Sequence, residues 1–475
     1  MSVEHYSSPL AERYASDAML RLWSPATRYG LWRRLWLALA ESEKSLGVDI
    51  PDAAIAQMRA HLDDINFDAV AAYERRFRHD VMAHIHAFGD VAPAARPFVH
   101  LGATSAFVTD NADLILMRRG MDLLRGKVLD TLRALSAFAR KWRDEPCLGY
   151  THLQSAQLTT VGKRATLWMQ DLVLDLTDLE FRLATLPFRG VKGTTGTQAS
   201  FLALFDGDHD KVRQLDALVT SAMDFPRSIP VSGQTYTRKI DAQVLAVVAG
   251  IAASAAKFSS DVRMLQSFGE MEEPFEREQI GSSAMAYKRN PMRSERIAGL
   301  ARFVISLEPN ANQTHSVQYF ERTLDDSANR RLVIPESFLA TDAILILMAN
   351  IAAGLEVHPA RIRRRIENEL PFMATEELIV RAVRGGGDRQ AAHEVIRRHS
   401  LEAARAMREG AERNDLLDRL AGDKELKVSL SELRETMDPT RFVGRAPKQV
   451  DEFLREVVDP LISGTSASVR EEVRV

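Results

Sequence analysis

Apolar side chains recur at helical spacing over residues 114–138. They follow one another in alternating steps of three and four residues: Leu114, Met117, Met121, Leu124, Val128, Leu132, Leu135 and Phe138. This period predicts one amphipathic helix of about seven turns, longer than most helices of globular proteins. Gly120 and Gly126 do not interrupt the pattern.

Residues 242–256 and 338–357 are apolar on nearly all sides. Gln243, Ser254, Asp342 and Asn350 interrupt them, so neither has the clean apolar run of a membrane span. Such segments fit helices that are packed on every side in a bundle. One chain has few helices with which to surround several of them, so we infer that subunits share the bundle in a homo-oligomer.

Strand signals are scarce, and residues 188–205 and 225–234 are the only plausible non-helical stretches of any length. Strands and helices do not alternate, which disfavours a Rossmann-type sheet. The sequence therefore predicts an all-α protein. Polarity and glycine content suggest boundaries near residues 101–105 and 357–359. They predict an N-terminal helical domain (1–104), a central long-helix domain (105–357) and a C-terminal helical domain (358–475).

Composition narrows the functional class. The chain has 475 residues, 45% of them hydrophobic and 27% charged, with a net charge of −3. This balance argues against a general nucleic-acid or membrane-surface binder. Cys147, the single cysteine, cannot form an internal disulfide. The first residues lack the pattern of a signal peptide, so we expect a cytoplasmic protein.

The richest candidate for chemistry is the stretch of residues 281–296. Its first half is small and hydroxylated, with Ser282 and Ser283, and predicts a mobile loop. Asn290 and Pro291 resemble a helix start, with Asn as the cap. Its basic residues are Lys288, Arg289, Arg293 and Arg296. A serine loop before a cationic helix start suits binding an anion next to a base. The alternative is a surface loop followed by a solvated basic helix.

Histidines mark two further candidates. His152 lies in a polar stretch, residues 150–157, where we expect the first turn of a helix through Met169. A helix N-terminus would keep its imidazole neutral, although a simple capping histidine remains the alternative. His79, His84 and His86 have spacings that do not suit zinc. Arg78, His79 and Asp80 fit better as anion-binding and proton-network residues.

Three further segments are rich in arginine or glycine. Residues 190–197 contain three glycines but lack the Lys-Ser or Lys-Thr of a Walker A loop. Residues 321–331 place three arginines before an apolar helix, which argues against mere solvated surface. The arginines of residues 361–365 are followed by glutamates and predict an exposed helix face.

These motifs together resemble the adenylosuccinate lyases, a family of the fumarase/aspartase superfamily. The resemblance rests on residues 101–105, 151–157, 281–296 and 322–331, and extends from residue 10 to residue 447. The sequences of residues 287–296 and 322–327 are similar to those of the longer branch, which includes the animal enzymes. The superfamily signature around the serines implies the reaction type, and the arginine-rich parts imply the substrate.

The resemblance implies cleavage of a C–N bond by β-elimination with release of fumarate. The family acts on adenylosuccinate, giving AMP, and on the succinylocarboxamide ribotide SAICAR, giving AICAR. It uses no metal or organic cofactor. It also implies a three-domain fold whose central helical bundle is shared in a homotetramer, with each active site built from three subunits. The expected partners are an anionic nucleotide substrate and further copies of this chain, without nucleic acid or membrane.

Family positions imply roles for individual residues. Ser282 would be the general base and His152 the general acid, with Ser283 as the neighbour that could be confused with the base. Lys288 and Asn290 would stabilise the carboxylate and the developing charge, and His79 would join the catalytic group. The remaining substrate-binding positions are Arg13, Tyr14, Arg78, Asp80, Thr104, Ser105, Gln234, Arg296, Arg322, Ser327 and Arg331.

The chain departs from the family pattern twice. Ala286 and Ser155 stand where the family usually has proline, which predicts a less rigid serine loop without loss of a functional group. Two alternative functions remain. One is another fumarate-releasing lyase such as argininosuccinate lyase, whose substrate lacks the phosphate that these arginines suit. The other is a non-catalytic structural relative, against which the retention of Ser282, His152, His79 and Lys288 argues.

Overall fold

The computed structural model describes residues 4–426, 428–464 and Val473. Helices dominate from the first described segment, where a π-helical turn, Leu10–Tyr14, precedes five α-helices. These are α1 (Asp17–Leu22), α2 (Pro25–Ser45), α3 (Asp52–Ala60), α4 (Phe67–Phe77) and α5 (Asp80–Val91). Single 3₁₀ turns follow at Pro93–Ala95 and, much later, at Pro439–Phe442.

The middle of the chain contains five long helices and the strands. In chain order it holds α6 (Ser105–Lys141), β1 (Pro146–Thr151), β2 (Gln154–Thr160), α7 (Val161–Thr185), α8 (Ala199–Leu204), α9 (His209–Ala222), α10 (Lys239–Ser267), β3 (Met271–Glu272), α11 (Met292–Ser316), α12 (Asp326–Gly354) and β4 (Glu356–Val357). The long helices α6, α7, α10, α11 and α12 pack against one another as a bundle.

The C-terminal part is again helical and more polar. It contains α13 (Pro359–Met373), α14 (Thr375–Arg384), α15 (Arg389–Arg408), α16 (Leu416–Ala421), α17 (Leu430–Glu435), α18 (Ala446–Phe453), a π-helical turn (Leu454–Val458) and α19 (Asp459–Ile462). Apolar residues between Leu378 and Leu433 form a separate small cluster, whereas Val443 and Val458 join the main core. The predicted three-domain division remains a prediction.

Helix α6 confirms the helical period read from residues 114–138. All eight apolar residues of that period are buried: Leu114, Met117, Met121, Leu124, Val128, Leu132, Leu135 and Phe138. Gly120 is required at its position, because a Cβ there would lie 2.8 Å from the ring of Phe338 on α12. The glycine thus permits the close approach of two bundle helices.

Helices α10 and α12 are the two apolar segments expected in a bundle. By length and composition alone both could cross a membrane, but half of the most apolar window of α10 and 67% of that of α12 are buried inside the structure. Asp342 in α12 is fully buried and binds Lys127 Nζ at 2.9 Å and the Ser16 amide at 2.7 Å. Both helices are therefore core helices. Helix α12 ends at Gly354, so the last predicted turn is replaced by β4.

The two short sheets correct two predictions. Their four strands lie outside residues 188–205 and 225–234, the predicted non-helical stretches, and the first of these stretches contains α8. Residues 146–160 form an antiparallel hairpin of β1 and β2, and His152 lies in its turn rather than in a helix. Thr160 caps α7 instead, accepting the Lys163 amide at 3.1 Å. The hairpin carries a bulge after Gly149, whose absent Cβ would lie 2.7 Å from the Gln157 carbonyl. Threonines, Tyr150 and Leu158 gave a β-signal that the helix prediction overlooked.

Candidate active site

A cleft of about 1000 Å³ lies where α5, α6 and α12 meet the loops before them. It brings together most of the predicted nucleotide-binding residues. Its lining includes Arg78, His79, Asp80, Thr104, Ser105, Gln234, Arg322, Ser327 and Arg331. These positions are far apart in sequence, so the fold itself assembles the group.

The junction of α4 and α5 supplies the first wall of the cleft. Arg78 ends α4 in the left-handed region, with φ of 54°, and thereby turns the chain into the cleft. His79 caps α5 by accepting the Met82 amide at Nδ1, 3.3 Å away. In this geometry the neutral ring carries its proton on Nε2, the nitrogen left for another group.

Asp80 is tied to the opposite wall. It accepts the Arg331 guanidinium at 2.7 Å and the Val81 amide at 2.8 Å. Burial raises the pKa of Asp80, but these hydrogen bonds and the charge of Arg331 outweigh burial and lower it overall. Asp80 is thus held as a carboxylate that orients Arg331 across the cleft.

A chain of hydrogen bonds orders the second wall. Arg322 NH1 donates to Gln234 Oε1 at 2.9 Å, and Gln234 Nε2 donates to Thr104 Oγ1 at 3.2 Å. The Gln234 backbone is fixed as well, since its carbonyl accepts Arg189 Nε at 2.9 Å. Three predicted binding residues therefore act as one preorganised unit.

Beneath the cleft lies a buried ion network that the sequence did not reveal. Arg238 binds Asp110 at 3.1 Å and Asp326 at 2.6 Å, and all three are at most 2% exposed. Burial alone would lower the pKa of Arg238, but the facing carboxylates raise it, so it stays charged. Arg330 similarly binds Asp241 at 2.7 Å and Asp113 at 3.1 Å. Arg330 therefore belongs to the core rather than to a cationic surface.

The serine loop, residues 277–291, lies outside this cleft. Ser282 is half-buried, and its Oγ accepts the amides of Ala284 at 3.3 Å and Met285 at 3.2 Å. Ser283, Ala286 and Lys288 are exposed. Two amides directed at one hydroxyl oxygen stabilise negative charge on it.

The predicted Asn290 cap at the start of α11 is wrong, whereas anion binding by the basic side chains stays a prediction. The helix begins at Met292 with Pro291 as its cap residue, and Asn290 provides no capping bond. The carboxylate of Glu273 accepts the amides of Arg293 and Ser294, each at 2.9 Å. The helix-terminal amides are thus already occupied.

His152 lies at the tip of the β1–β2 hairpin, away from the residues that line the cleft. His152 and Leu153 have φ of 54° and 58° and form the two-residue turn. Both are exposed. Left-handed backbone at two non-glycine residues is unfavourable and often marks a functional position.

Arg13, Tyr14 and Arg296 meet in a fourth place. They line a small separate pocket, where the Arg296 guanidinium lies 5.4 Å from the centre of the Tyr14 ring. Burial is the main cause of a lowered pKa of Arg296. One chain therefore presents the predicted site residues in four groups: the cleft, the serine loop with Lys288 and Asn290, the hairpin tip and this pocket.

Other candidates are structural. In the Gly190 loop, the amides of Gly190 and Val191 already donate to Asn111 at 3.1 Å and Asp216 at 2.6 Å. Arg365 is half-buried against Glu270 at 2.8 Å, so the predicted exposed face of residues 361–365 is wrong at that residue. Within the described residues, Glu272, Glu356 and His358 are close enough to hold a metal, but the Arg289 guanidinium lies 3.1 and 3.3 Å from the two carboxylates.

Two protein-family models match this chain and together cover most of it. A family model described as a lyase matches residues 15–306, and one described as the adenylosuccinate lyase C-terminus matches residues 371–453. The adenylosuccinate lyase of Saccharomyces cerevisiae is 51% identical over 459 residues, covering 96% of this chain and 95% of that protein. The chain belongs to the adenylosuccinate lyase family.

Two further eukaryotic relatives are more similar to this chain than an archaeal one. The adenylosuccinate lyase of Schizosaccharomyces pombe is 50% identical, with 98% of both chains covered. That of Schistosoma mansoni is 47% identical over 97% of this chain and 96% of its own, whereas that of Pyrococcus abyssi is 29% identical.

Solved structures confirm the fold. A 3-carboxy-cis,cis-muconate lactonizing enzyme from Pseudomonas putida superposes with a TM-score of 0.82 at 23% identity, covering 96% of this chain and 99% of its own. A fumarate lyase from Mesorhizobium sp. BNC1 gives 0.79 at 22% identity, covering 97% and 100%. The predicted all-α, fumarase/aspartase-like fold is thus confirmed.

Proposed function

We propose that this chain is an adenylosuccinate lyase that releases fumarate from adenylosuccinate, giving AMP, and from SAICAR, giving AICAR. Membership of the family over nearly the whole chain supports the reaction. We expect neither metal nor organic cofactor, and a cytoplasmic location.

The observation that carries the proposal is the group of arginines in the cleft of a chain of net charge −3. Carboxylates also line the cleft, and Asp80, Asp110 and Asp326 among them are each paired with an arginine. Arg78, Arg322 and Arg331 face one space of about 1000 Å³. A substrate with a phosphate and two carboxylates needs such a local concentration of cations. The alternative of argininosuccinate lyase is disfavoured because its substrate carries no phosphate.

The elimination needs a base and an acid on opposite sides of the C–N bond. Ser282, as alkoxide, removes the proton from the carbon next to a carboxylate; the electron pair forms the C=C bond of fumarate. The C–N bond breaks, and His152 protonates the leaving nitrogen. The Ala284 and Met285 amides favour Ser282 over Ser283 as the base, because they stabilise its alkoxide.

Neighbouring cations and hydrogen-bond donors would stabilise the negative charge of the carbanion intermediate. The carbanion is delocalised into the carboxylate, whose second negative charge Lys288 and Asn290 would offset. His79 and Asp80 orient the cleft, with Arg331 held by Asp80 at 2.7 Å. The remaining binding residues would hold the nucleotide and keep the C–N bond aligned with Ser282 and His152.

Sharing between subunits completes this arrangement. In one chain the hairpin tip and serine loop lie outside the cleft, yet all are needed at one substrate. We therefore propose a homotetramer in which each site combines groups from three subunits. The exposure of His152 and Lys288 supports this, since both are available to another copy.

The decisive experiment is a spectrophotometric assay with purified full chain. Adenylosuccinate and SAICAR should each be converted, with fumarate as the common product; argininosuccinate should be inert. No reaction with either succinyl nucleotide would refute the proposal, and would favour a non-catalytic relative.

Variants test the assigned roles. Ser282→Ala and His152→Ala should each lower kcat by about three orders of magnitude or more, because each removes a proton-transfer group. Ser283→Ala is the matched control and should retain most of the activity. A crippled Ser283→Ala with an active Ser282→Ala would reverse the assignment of the base.

A further inference from the structure

The two ends of the serine loop are held together by one buried carboxylate. Glu273, 2% exposed, lies before the loop, while Arg293 and Ser294 lie after it. Its two oxygens accept the Arg293 amide, the Ser294 amide and the Ser294 hydroxyl, each at 2.9 Å. Three donors on one buried carboxylate form a strong, charge-assisted contact.

Arg293 adds a second connection across the same neck. Its NH1 donates to the Pro274 carbonyl at 3.1 Å and to Asn350 on α12 at 2.9 Å, and its NH2 binds Glu276. Gln266 at the end of α10 donates to the Arg289 carbonyl at 2.9 Å. The residues that flank the loop are thus fixed to α10 and α12, both core helices.

The same short segment also holds the hairpin that carries His152. Glu270 is fully buried and pairs with Arg365 Nε at 2.8 Å. Tyr150, two residues before His152, donates its hydroxyl to Glu270 at 3.3 Å and accepts Arg365 NH2 at 2.9 Å. Glu270 and Glu273 are separated only by β3. One segment therefore contacts the supports of both Ser282 and His152.

We propose that residues 270–276, here named the acidic strap, position the two proton-transfer groups, Glu273 through the neck of the serine loop and Glu270 through Tyr150 of the hairpin. The proposal rests on the proposed function, since it assigns positioning roles for that reaction. No contact with substrate is assigned to Glu270, Glu273, Arg293 or Tyr150. Their effect is to fix where Ser282 and His152 stand.

A positioning role predicts a loss of turnover without loss of binding. The three arginines proposed to hold the nucleotide, Arg78, Arg322 and Arg331, lie in the cleft, apart from the strap. Glu273→Gln should therefore lower kcat by about tenfold to a hundredfold, the effect of a displacement near 1 Å, while KM changes by less than about threefold. Trypsin should cut this variant faster at Lys288 and Arg289, because the neck is looser.

Controls separate positioning from general destabilisation. Glu432→Gln is the control in the C-terminal part, where the Glu432 carboxylate accepts the amide of the N-cap residue Ser429 in a capping box. It should leave kcat and loop cleavage unchanged. If Glu273→Gln does not fold, Ser294→Ala takes its place as the test variant. It removes only one donor to Glu273 and should show the same kcat loss on a smaller scale. A loss of kcat no larger than the loss of folded protein seen by circular dichroism would overturn the proposal.

The hairpin half has its own variant. Tyr150→Phe should lower kcat several-fold with unchanged KM and unchanged trypsin cleavage of the serine loop, since it removes only the hydroxyl at Glu270. Wild-type kcat in Tyr150→Phe would refute this half. If the wild-type chain shows no lyase activity, the proposed function fails, whereas the trypsin comparison still decides whether Glu273 holds the neck.

Discussion

At the scale of single residues, the buried charges differ in how they are compensated. Arg238 sits between Asp110 and Asp326, and every member of that group has a partner of opposite charge. Glu43 on α2 is fully buried, and neither of its oxygens has a hydrogen-bond partner among the described residues. A buried carboxyl without a partner avoids its charge by keeping its proton.

Glu43 therefore predicts a pH dependence of stability. Burial raises the pKa of Glu43 from its ordinary value of 4.5 to about 8. Between these values the folded protein holds a proton that the unfolded chain releases, so stability falls as the pH rises through this window. Glu43→Gln should remove this dependence and raise the free energy of unfolding at pH 8 by a few kcal/mol, at about 1.4 kcal/mol per pKa unit. The melting temperature at pH 8 should rise with it.

Thermal unfolding at pH 5 and pH 8 measures this effect. The matched control is Glu41→Gln on the same helix, because Glu41 is partly exposed and pairs with Arg59. The control should keep the wild-type difference between the two pH values. An unchanged difference in Glu43→Gln would show that Glu43 is ionised in the folded protein.

At the scale of elements, the hairpin combines function with backbone strain. Its two-residue turn needs positive φ at both positions, for which Asn-Gly is the usual sequence; here His152 and Leu153 occupy it. Leu153 is 73% exposed, so its side chain gains little from packing within one subunit. The strain is retained next to the proposed acid.

Leu153→Gly should relieve that strain. Glycine adopts φ near 58° without a Cβ clash, so we expect a gain of about 1 kcal/mol in hairpin stability. Slower amide hydrogen exchange in residues 146–160 measures it. Thr151→Gly is the control: Thr151 pairs with Gln154 at the end of the strand ladder next to the turn, so glycine there should speed exchange. Faster exchange in Leu153→Gly would mean that the leucine side chain stabilises the turn.

Elements with a sustained period could be predicted from the sequence, and those built by distant contacts could not. The eight apolar positions of α6 depend only on local spacing. By contrast, the start of α11 is capped by Glu273, twenty and twenty-one positions away, so the local Asn290-Pro291 pattern misled. The cleft floor likewise joins Arg238 to Asp110, 128 positions away. Family motifs indicated cleft residues, but not the buried charges beneath them.

At the scale of the whole molecule, the proposed site is divided among separate surfaces of one chain. None of the described residues of the serine loop or of the hairpin tip lines the cleft. Helix α7 also exposes Leu167, Leu174 and Phe181, spaced seven residues apart on one face. An apolar stripe on a bundle helix suits burial by another copy of the chain, which would bring the separate surfaces together.

Shared sites predict that two inactive variants restore each other. Ser282→Ala chains keep His152, and His152→Ala chains keep Ser282. If one site takes these residues from different subunits, chains mixed after dissociation should regain about a quarter of wild-type activity, since random hybrids pair two intact residues in that fraction of sites.

The control for this mixing experiment keeps both lesions in one chain. The double variant Ser282→Ala with His152→Ala is mixed with wild type. Activity should then remain only in the sites whose Ser282 and His152 both come from wild-type chains. Size-exclusion chromatography must show the same oligomer in every sample. If the two single variants form hybrid oligomers yet regain no activity, Ser282 and His152 of each site come from the same chain, and the serine loop and the hairpin tip must then meet by a rearrangement within one subunit.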